Sequence, residues 1–305
     1  MHEHTGSPFV SALFCLLLST SSASGQVTND TTARFAVIGD FGVGLKEQDG
    51  KVAALVHSWN PEFIITLGDN RYGAIDYDSA VGQHFCEFLS ETETGSYCSG
   101  NDARSNAFFP SLGNHDYTDG DGLDEYLGYF TLPGAGLDGS STSGNERFYD
   151  FIKGPVHFFV IDSHGALRNA SDKTAQMAWL QTQLAASATP WQIVYFHHPP
   201  YSSGQHGSSP EMQWPFVRWG ADAVMSGHDH NYERLSMDGI TYFVNGLGGR
   251  SFRHFNEPLS GSLVRYNDDF GAMLVVANET EVTFKFFNVV GEVVDSLTMG
   301  TVPAP

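Results

Sequence analysis

The stretch Phe63–Tyr72, FIITLGDNRY, decides how this chain is expected to fold. Its first five residues are apolar or β-branched and predict a short buried strand. Gly68 and Asp69 end that strand, and Tyr72 follows three positions after the carboxylate. An Asp after a strand is ordinarily a turn residue, because its side chain can bond to its own backbone. The same arrangement recurs at four other strand ends, however, so we expect the chain to bring five strand ends together.

The other four predicted strands also end in polar side chains. They are Arg34–Gly39 before Asp40, Ala107–Leu112 before Gly113-Asn114-His115-Asp116, Trp191–Phe196 before His197, and Ala223–Met225 before Gly227-His228-Asp229-His230. A helix is predicted over about Lys46–Trp59, between the first two strands, and a strand, helix and strand in succession imply a parallel crossover. Asp40 and Asp69 are therefore expected at the same carboxyl edge of one sheet, where open α/β sheets bind ligands.

The predicted fold class is α/β (α+β), a four-layer α/β/β/α sandwich of two mixed β-sheets flanked by helices. Helices alternate with strands in the first three quarters of the chain, and strands dominate from Ile240 onward. We also predict a hairpin from Arg147–Ile152 and Val156–Ile161, a polar loop at His164–Asp172, and helices at Lys173–Ala186 and Glu211–Trp219. Thr118–Asn145 is interpreted as a long loop that forms a lid or binding wall. Because no repeat or linker interrupts the chain, residues 26–305 are predicted to form a single catalytic domain.

The N-terminal residues resemble a secretory signal peptide. Phe9–Leu18 is apolar but too short to span a bilayer, and small residues follow it to Gly25, so residues 1–25 are predicted to be cleaved. The absence of Lys and Arg before the apolar run leaves a frayed hydrophobic terminus as the alternative. A signal peptide predicts secretion to the extracellular space, or delivery to a vacuolar or lysosomal lumen.

The cysteines and glycosylation motifs are compatible with export. If Cys15 leaves with the signal peptide, Cys86 and Cys98 remain and can form a disulfide, with two buried free thiols as the alternative. Three N-glycosylation sequons begin at Asn29, Asn169 and Asn278.

The charge of the chain excludes some classes of partner. It has 35 Asp and Glu against 15 Lys and Arg, a formal net charge of -20, and no basic run. Binding to nucleic acid or to an anionic membrane through a basic surface would need the opposite field. We therefore predict neither kind of partner.

The side chains at the five strand ends are all oxygen or nitrogen donors. The set consists of two carboxylates, one phenol, one amide and three imidazoles: Asp40, Asp69, Tyr72, Asn114, His197, His228 and His230. Because it contains no thiolate, it favours hard or borderline cations. It is too large for one tetrahedral ion and fits two ions that share a carboxylate. Taken alone, His228 and His230 would also be explained as turn residues.

Five short motifs carry a family resemblance. In order they are Asp40-x-Gly42, Gly68-Asp69-x-x-Tyr72, Gly113-Asn114-His115-Asp116, Val194-x-x-His197 and Gly227-His228-x-His230. Together they resemble the motifs of the purple acid phosphatases, a branch of the calcineurin-like metallophosphoesterases. The length is similar to that of the low-molecular-weight, mammalian-type members.

The resemblance implies a role for each matching residue. A ferric ion would be held by Asp40, Asp69, Tyr72 and His230, and a divalent ion (iron, zinc or manganese) by Asp69, Asn114, His197 and His228. Asp69 would bridge the two ions. His115 and His206 would be the catalytic histidines, which contact phosphate together with Asn114 and assist the leaving group, although His206 lies outside the five motifs.

The implied activity is that of a secreted acid phosphatase. It would hydrolyse small phosphate monoesters, including nucleotides or phosphoproteins, by direct attack of a metal-bound hydroxide without a covalent phosphoenzyme. One alternative is a phosphodiesterase or nucleotide phosphohydrolase on the same metal core. The other is a non-catalytic secreted protein that binds metal or phosphate. Asn70, Asp116, His198 and Asp229 are expected to support the ligands or to form turns.

Overall fold

A computed structural model describes residues 1–2, 31–42, 46–90, 96–98, 105–134, 137 and 143–301. The predicted signal peptide, Cys15 and the first sequon residue, Asn29, lie outside the described residues. Accordingly, the boundary at residues 25 and 26 and the single-domain assignment stay predictions.

The described chain alternates strands with short helices before ending in strands. The strands are β1 (Thr32–Ile38), β2 (Phe63–Thr66), β3 (Phe108–Pro110), β4 (Tyr149–Lys153), β5 (Val156–Val160), β6 (Trp191–Tyr195), β7 (Ala223–Ser226), β8 (Tyr232–Met237), β9 (Ile240–Asn245), β10 (Ser262–Tyr266), β11 (Gly271–Asn278), β12 (Glu281–Asn288) and β13 (Val293–Gly300). The α-helices are α1 (Lys46–Ser58), α2 (Gln83–Phe85), α3 (Asn114–Thr118), α4 (Leu123–Tyr129), α5 (Ser163–Arg168), α6 (Ala170–Ala186) and α7 (Phe216–Trp219). A π-helical turn (Asp78–Gly82) and 3₁₀ turns (Cys86–Phe88 and Pro210–Met212) complete the described helical elements.

These strands form two mixed sheets. The first has the order β13-β12-β11-β1-β2-β3, and the second has the order β10-β8-β9-β7-β6-β5-β4. The pairs β1–β2 and β2–β3 are parallel, as are β5–β6, β6–β7 and β7–β9. In the first sheet, antiparallel strands adjoin the parallel strands only on the β1 side, and β3 forms the edge. In the second sheet, antiparallel strands flank the parallel centre on both sides. The parallel alignment of β1 and β2 confirms that Asp40 and Asp69 follow strands that end at the same edge.

Aromatic side chains fill the space between the sheets. Phe35 of β1 meets Phe158 of β5 edge to face at 5.0 Å, and Phe109 of β3 stacks on Phe151 of β4 at 3.9 Å. Such pairs contribute about 0.5–1.5 kcal/mol beyond the burial of their area. The next residue of β5, Phe159, belongs to the second apolar cluster, which also contains residues of α6. Because both faces of β5 are buried, its sequence is continuously apolar rather than alternating.

Helices cover the outer faces of the sheets. Helix α1 contacts β11 of the first sheet and contributes Val52 and Val56 to the larger apolar cluster. Helix α6 contributes Leu180 and Leu184 to the cluster of the second sheet. The order helix, sheet, sheet, helix confirms the predicted four-layer α/β/β/α sandwich.

The prediction of a polar loop at His164–Asp172 was wrong. This segment is α5 followed directly by the start of α6. Asp162 caps α5 by accepting a hydrogen bond from the Gly165 N–H, and Asn169 caps α6 by accepting from the backbone N–H groups of Ser171 and Asp172. Polar capping residues were therefore mistaken for loop residues.

Three other element predictions also need correction. Glu211–Trp219 is not one helix, because Pro215 separates the 3₁₀ turn from α7 and has no N–H to continue a helix. The supposed loop Thr118–Asn145 contains α4, although residues 135–136 and 138–142 lie outside the described part. Strand β8, which directly follows the histidine motif, was missed.

A disulfide joins Cys86 and Cys98, whose Cα atoms are 5.3 Å apart. The alternative of two free thiols is thereby excluded.

In the described part of the chain, helices are too short or too polar to cross a bilayer.

Candidate metal centre

The predicted ligands lie at the edge where the carboxyl ends of the parallel strands meet. Asp40, Asp69 and Asn114 follow β1, β2 and β3 of the first sheet. His197 and His228 follow β6 and β7 of the second sheet. Both sheets therefore contribute to one group of side chains.

One part of this group surrounds His197. Its Nε2 atom lies 3.4 Å from Asp69 Oδ2, 3.2 Å from Asn114 Oδ1 and 3.1 Å from His228 Nδ1. Nδ1 of His197 lies 2.8 Å from the Leu67 carbonyl oxygen, which only accepts hydrogen bonds. Nδ1 of His197 therefore carries a proton and donates it to this carbonyl. Nε2 faces the side-chain atoms of Asp69, Asn114 and His228.

The other part of the group surrounds Tyr72. Its hydroxyl lies 3.1 Å from Asp69 Oδ2 and 3.2 Å from Asp40 Oδ1. His230 Nε2 lies 3.3 Å from the same Asp40 oxygen and 3.4 Å from the Tyr72 hydroxyl. Asp69 Oδ2 is therefore shared by both parts.

The arrangement of donor atoms fits bound cations. Three potential ligand atoms surround His197 Nε2, and a single proton there can bond to only one or two of them. The nitrogen or oxygen ligand atoms of Asp40, Asp69 and His197 all lie within 4.8 Å of one another. These buried oxygen and nitrogen atoms have too few protons between them to form hydrogen bonds with one another. A hard or borderline metal ion would bind their lone pairs instead.

The electrostatics of the metal-free site favour positive charge at the same place. Burial lowers the pKa of His197, but the Asp69 and Asp40 carboxylates outweigh burial and raise this pKa to about 9. Burial raises the pKa of Asp69, but the imidazoles of His197 and His115 leave it below its usual value. Burial and the neighbouring His197 and His198 lower the pKa of His228, which keeps that imidazole neutral and able to bind metal.

The backbone is unusual at three of the predicted ligands. Asp40, Asp69 and His228 have φ values of 57°, 52° and 68°, in the left-handed region that side chains other than glycine rarely adopt. Each such residue costs on the order of 1–3 kcal/mol and is typical of functional sites. A side chain on Gly113 would place its Cβ 2.2 Å from Asp69 Oδ1, so the motif needs glycine there.

Asp116 holds the loops below the ligands. Its carboxylate accepts hydrogen bonds from the Gly113 N–H (2.7 Å), the Asn70 side chain (3.0 Å) and the Tyr77 hydroxyl (2.9 Å). Burial, helped by the charge of Asp69, raises the pKa of Asp116 to about 7. The hydrogen bonds of Asp116 join the second and third motifs, rather than orienting a neighbouring histidine.

The other supporting residues differ in how they act. Asp229 accepts hydrogen bonds from the backbone N–H groups of His206 and Gly207, which are 23 and 22 positions away, and so holds that loop beside the site. Asn70 binds Asp116 and the Ser111 carbonyl, and so supports the loop rather than Asp69 itself. His198 is buried against His228, with ring centres 4.5 Å apart, and lies 2.9 Å from the Ser163 hydroxyl.

The two predicted catalytic histidines flank the group. The ring of His115 lies 4.4 Å from the Tyr72 ring, and its Nδ1 is 2.7 Å from Asp119 Oδ2. His206 is exposed and stacks on His228 at 4.3 Å between ring centres. Both imidazoles therefore lie beside predicted metal ligands while retaining contact with solvent.

Sequence reasoning missed residues whose partners are distant in the chain. The Ser251 hydroxyl lies 2.6 Å from His230 Nδ1, and the Arg250 guanidinium lies 4.7 Å from the centre of the Tyr72 ring. Both belong to the Gly-Gly-Arg-Ser segment at residues 248–251. This segment does not match any of the five motifs that follow apolar strands. Arg71, inside the second motif, was also given no role.

Arg71 is a buried structural cation beneath the site. Its side chain is 1% exposed, and its guanidinium donates to Glu125 (2.5 Å) and to the Asp119 carbonyl (2.6 Å). It also lies 4.5 Å from the centre of the Tyr77 ring. Because Asp119 contacts His115 through its carboxylate, Arg71 connects the core to a predicted catalytic residue.

We expect Arg71→Met to lower the free energy of unfolding of the metal-free protein by about 3 kcal/mol. This is the lower end of the range for breaking a buried ion pair, because the side chain of Glu125 is 26% exposed and keeps contact with water. Urea unfolding of both proteins measures the difference. Lys51→Met, which removes the exposed pair with Glu47, is the control and should change stability little. Equal effects of the two variants would contradict the structural role of Arg71.

The amino-acid sequence is similar to those of known phosphoesterases. The calcineurin-like phosphoesterase family profile matches residues 33–232. The chain is 28% identical to purple acid phosphatase 15 of Arabidopsis thaliana over 74% of this chain and 47% of that relative. It is 25% identical to rat (Rattus norvegicus) tartrate-resistant acid phosphatase type 5 over 76% of this chain and 78% of that protein. The chain thus spans about half of the length of the plant relative.

Solved structures share the fold. A purple acid phosphatase from yellow lupin (Lupinus luteus) seeds superposes with a TM-score of 0.66 at 19% identity, covering 88% of this chain and 54% of that one. GAP50, described as the anchor in the inner membrane complex of Plasmodium, gives a TM-score of 0.68 at 19% identity and covers 89% of both chains. At this identity the likeness concerns the fold alone.

Proposed function

The chain belongs to the calcineurin-like phosphoesterase family, and from this premise we propose that it is a binuclear-metal acid phosphatase that hydrolyses phosphate monoesters. The observation that carries the proposal is the position of Asp69 Oδ2, which lies within 3.4 Å of both His197 Nε2 and the Tyr72 hydroxyl. Asp69 thus belongs both to the potential ligands around His197 and to those around Tyr72. A carboxylate in this position could be shared by two metal ions. The named acid phosphatase relatives support the same activity.

Each predicted ligand has a role in the proposal. Asp40, Asp69, Tyr72 and His230 would hold Fe(III), for which a phenolate and carboxylates are suitable hard ligands. Asp69, Asn114, His197 and His228 would hold a divalent iron, zinc or manganese ion. When bound, the metal pair supplies Lewis acidity and an acidified water for in-line attack on phosphorus.

The chain's own residues then position the ester and handle its proton. The Asn114 amide and the imidazoles of His115 and His206 would donate hydrogen bonds to phosphate oxygens. Asp119 orients His115 through the 2.7 Å contact to Nδ1, so that Nε2 is free to give a proton to the leaving alkoxide. Such proton transfer contributes typically ~10²–10⁴-fold to rate.

The proposed location is the extracellular space, or a vacuolar or lysosomal lumen. The Cys86–Cys98 disulfide supports an oxidising compartment. The sequon residue Asn169 is exposed, as is Asn278, so both are accessible to modification. Small phosphate monoesters are the proposed substrates, with nucleotides and phosphoproteins as members of that class to test.

Removing the metal is the direct test of the proposed function. We expect chelation to reduce hydrolysis of p-nitrophenyl phosphate to background, because the acceptor cluster alone cannot stabilise the transferred phosphoryl group. Reloading with Fe(III) and Zn(II) should restore it, and metal analysis should find two ions per chain. Full activity in a protein shown to be metal-free would disprove the proposal.

The same assay separates the alternatives. Preference for bis-p-nitrophenyl phosphate over the monoester would identify a phosphodiesterase. A protein that binds two metal ions but hydrolyses neither ester would be the non-catalytic binding protein.

A further inference from the structure

A pocket of about 460 Å³ opens beside the metal centre, on the side of Asn114 and His228. The remainder of its wall comes from His164, Leu167, Arg168 and His198. Of these, His164, Leu167 and Arg168 belong to α5, the helix that occupies the predicted loop. The pocket therefore connects two predicted metal ligands to a cationic side chain outside the five motifs.

Arg168 is held in place without being neutralised. Its Nε donates to His164 Nε2 at 3.0 Å, and His164 in turn stacks on Tyr117 at 4.6 Å between ring centres. The ion pairs formed within the described part of the chain do not include Arg168, which leaves its two terminal nitrogens without a carboxylate partner there. Arg147, in the adjoining pocket, differs because Asp162 and Asp172 both bind it.

Arg168 is solvent-exposed, and its guanidinium places a local positive charge beside the metal centre of a chain whose net charge is -20. A guanidinium presents a planar fork of donors that matches a carboxylate or a phosphate. The phosphoryl group of a substrate would already be bound by the metal centre. Arg168 would therefore meet another part of the same molecule.

We propose that Arg168 forms a second anion subsite, which selects phosphate monoesters whose leaving group carries a further carboxylate or phosphate. This inference rests on the proposed phosphatase function, since that function places the first phosphoryl group. The pocket volume of about 460 Å³ lies within the range of about 300–1,000 Å³ that is typical of small-molecule sites. His164 is a positioning residue in this subsite, because it fixes the Nε of Arg168.

The test compares ligands that differ only in the second anion. Calorimetric titration of the metal-loaded protein with phenylphosphonate, and with 3- and 4-carboxyphenylphosphonate, measures binding without turnover. We expect Arg168→Gln to weaken at least one carboxylated ligand by about threefold to tenfold, the range for a partly exposed charged hydrogen bond. Affinity for phenylphosphonate should stay unchanged. Arg168→Lys keeps the charge but loses the planar fork of donors. Its affinity for the carboxylated ligand should lie between those of the wild-type protein and Arg168→Gln.

Arg218→Gln is the matched control. Arg218 is an exposed arginine on α7, and its replacement changes the net charge by the same amount. The proposed subsite would be wrong if Arg168→Gln weakened all three ligands equally. It would also be wrong if Arg218→Gln weakened the carboxylated ligands as much as Arg168→Gln does.

Turnover of phenyl phosphate and the carboxyphenyl phosphates separates the two proposals. Loss of kcat/KM for the carboxylated esters alone supports the subsite. If the wild-type protein hydrolyses none of these esters, the proposed function fails, while a selective loss in the titration still supports an anion site at Arg168.

Discussion

His197→Ala is expected to remove the divalent ion and to lower p-nitrophenyl phosphate hydrolysis by more than about 10²-fold. Changes to residues that only orient a metal ligand typically cost about 10–100-fold, and His197 is itself a proposed ligand. Its Nε2 is the atom around which Asp69, Asn114 and His228 converge, and alanine leaves their acceptor atoms facing an empty space. Metal content per chain and kcat are the quantities to measure.

A matched control separates metal loss from general destabilisation. His157 is another buried histidine, and its Nε2 lies 3.0 Å from Asp150, away from the strand ends that form the centre. His157→Ala should lower the unfolding midpoint but retain two metal ions and near-normal turnover. If His197→Ala kept its metal and its activity, the proposed binuclear centre would be wrong.

The strand ends could be predicted because their signal is local. β1, β2, β3, β6 and β7 are short runs of apolar and β-branched residues, and each is followed at once by a polar motif. Parallel alignment of neighbouring strands then places Asp40, Asp69 and Asn114 together in the first sheet, and His197 and His228 together in the second. Packing of the two sheets joins these two groups. A short stretch such as FIITLGDNRY is therefore enough to predict that Asp69 lies at the carboxyl end of a buried strand.

The supporting structure could not be predicted because its partners are remote in sequence. Arg71 meets Glu125, 54 positions away, and Asn70 meets Asp116, 46 positions away. Nothing near either residue indicates its partner. The pairing of β1 with β11 is likewise set by tertiary packing, since their partner residues lie more than 200 positions apart.

The wall of the pocket was missed for a different reason. Asp162 and Asn169 are good helix caps, but polar residues that cap helices also occur in loops. The segment between them was therefore interpreted as a loop, and Arg168 was given no role. Its position beside His228 depends on how α5 packs against the second sheet, which a local pattern does not contain.

Tyr72→Phe is expected to abolish the visible absorption of the iron-loaded protein while leaving phosphatase activity measurable. A phenolate bound to Fe(III) gives a charge-transfer band, and Tyr72 is the phenol that faces both Asp40 and Asp69. Burial and these two carboxylates raise the pKa of the Tyr72 phenol well above its usual range, so it is protonated in the metal-free protein. Colour should therefore appear only when metal binding displaces that proton.

Tyr77→Phe provides the control for this variant. Tyr77 is also buried, but its hydroxyl donates to Asp116 rather than to a proposed ligand. Absorbance per bound iron should be unchanged in Tyr77→Phe and lost in Tyr72→Phe, and iron analysis of both variants makes the comparison independent of loading. A band that survives Tyr72→Phe would assign the colour to another group. Iron without any visible band in the wild-type protein would show that Tyr72 does not bind it, although the phosphatase proposal would remain open to the chelation test.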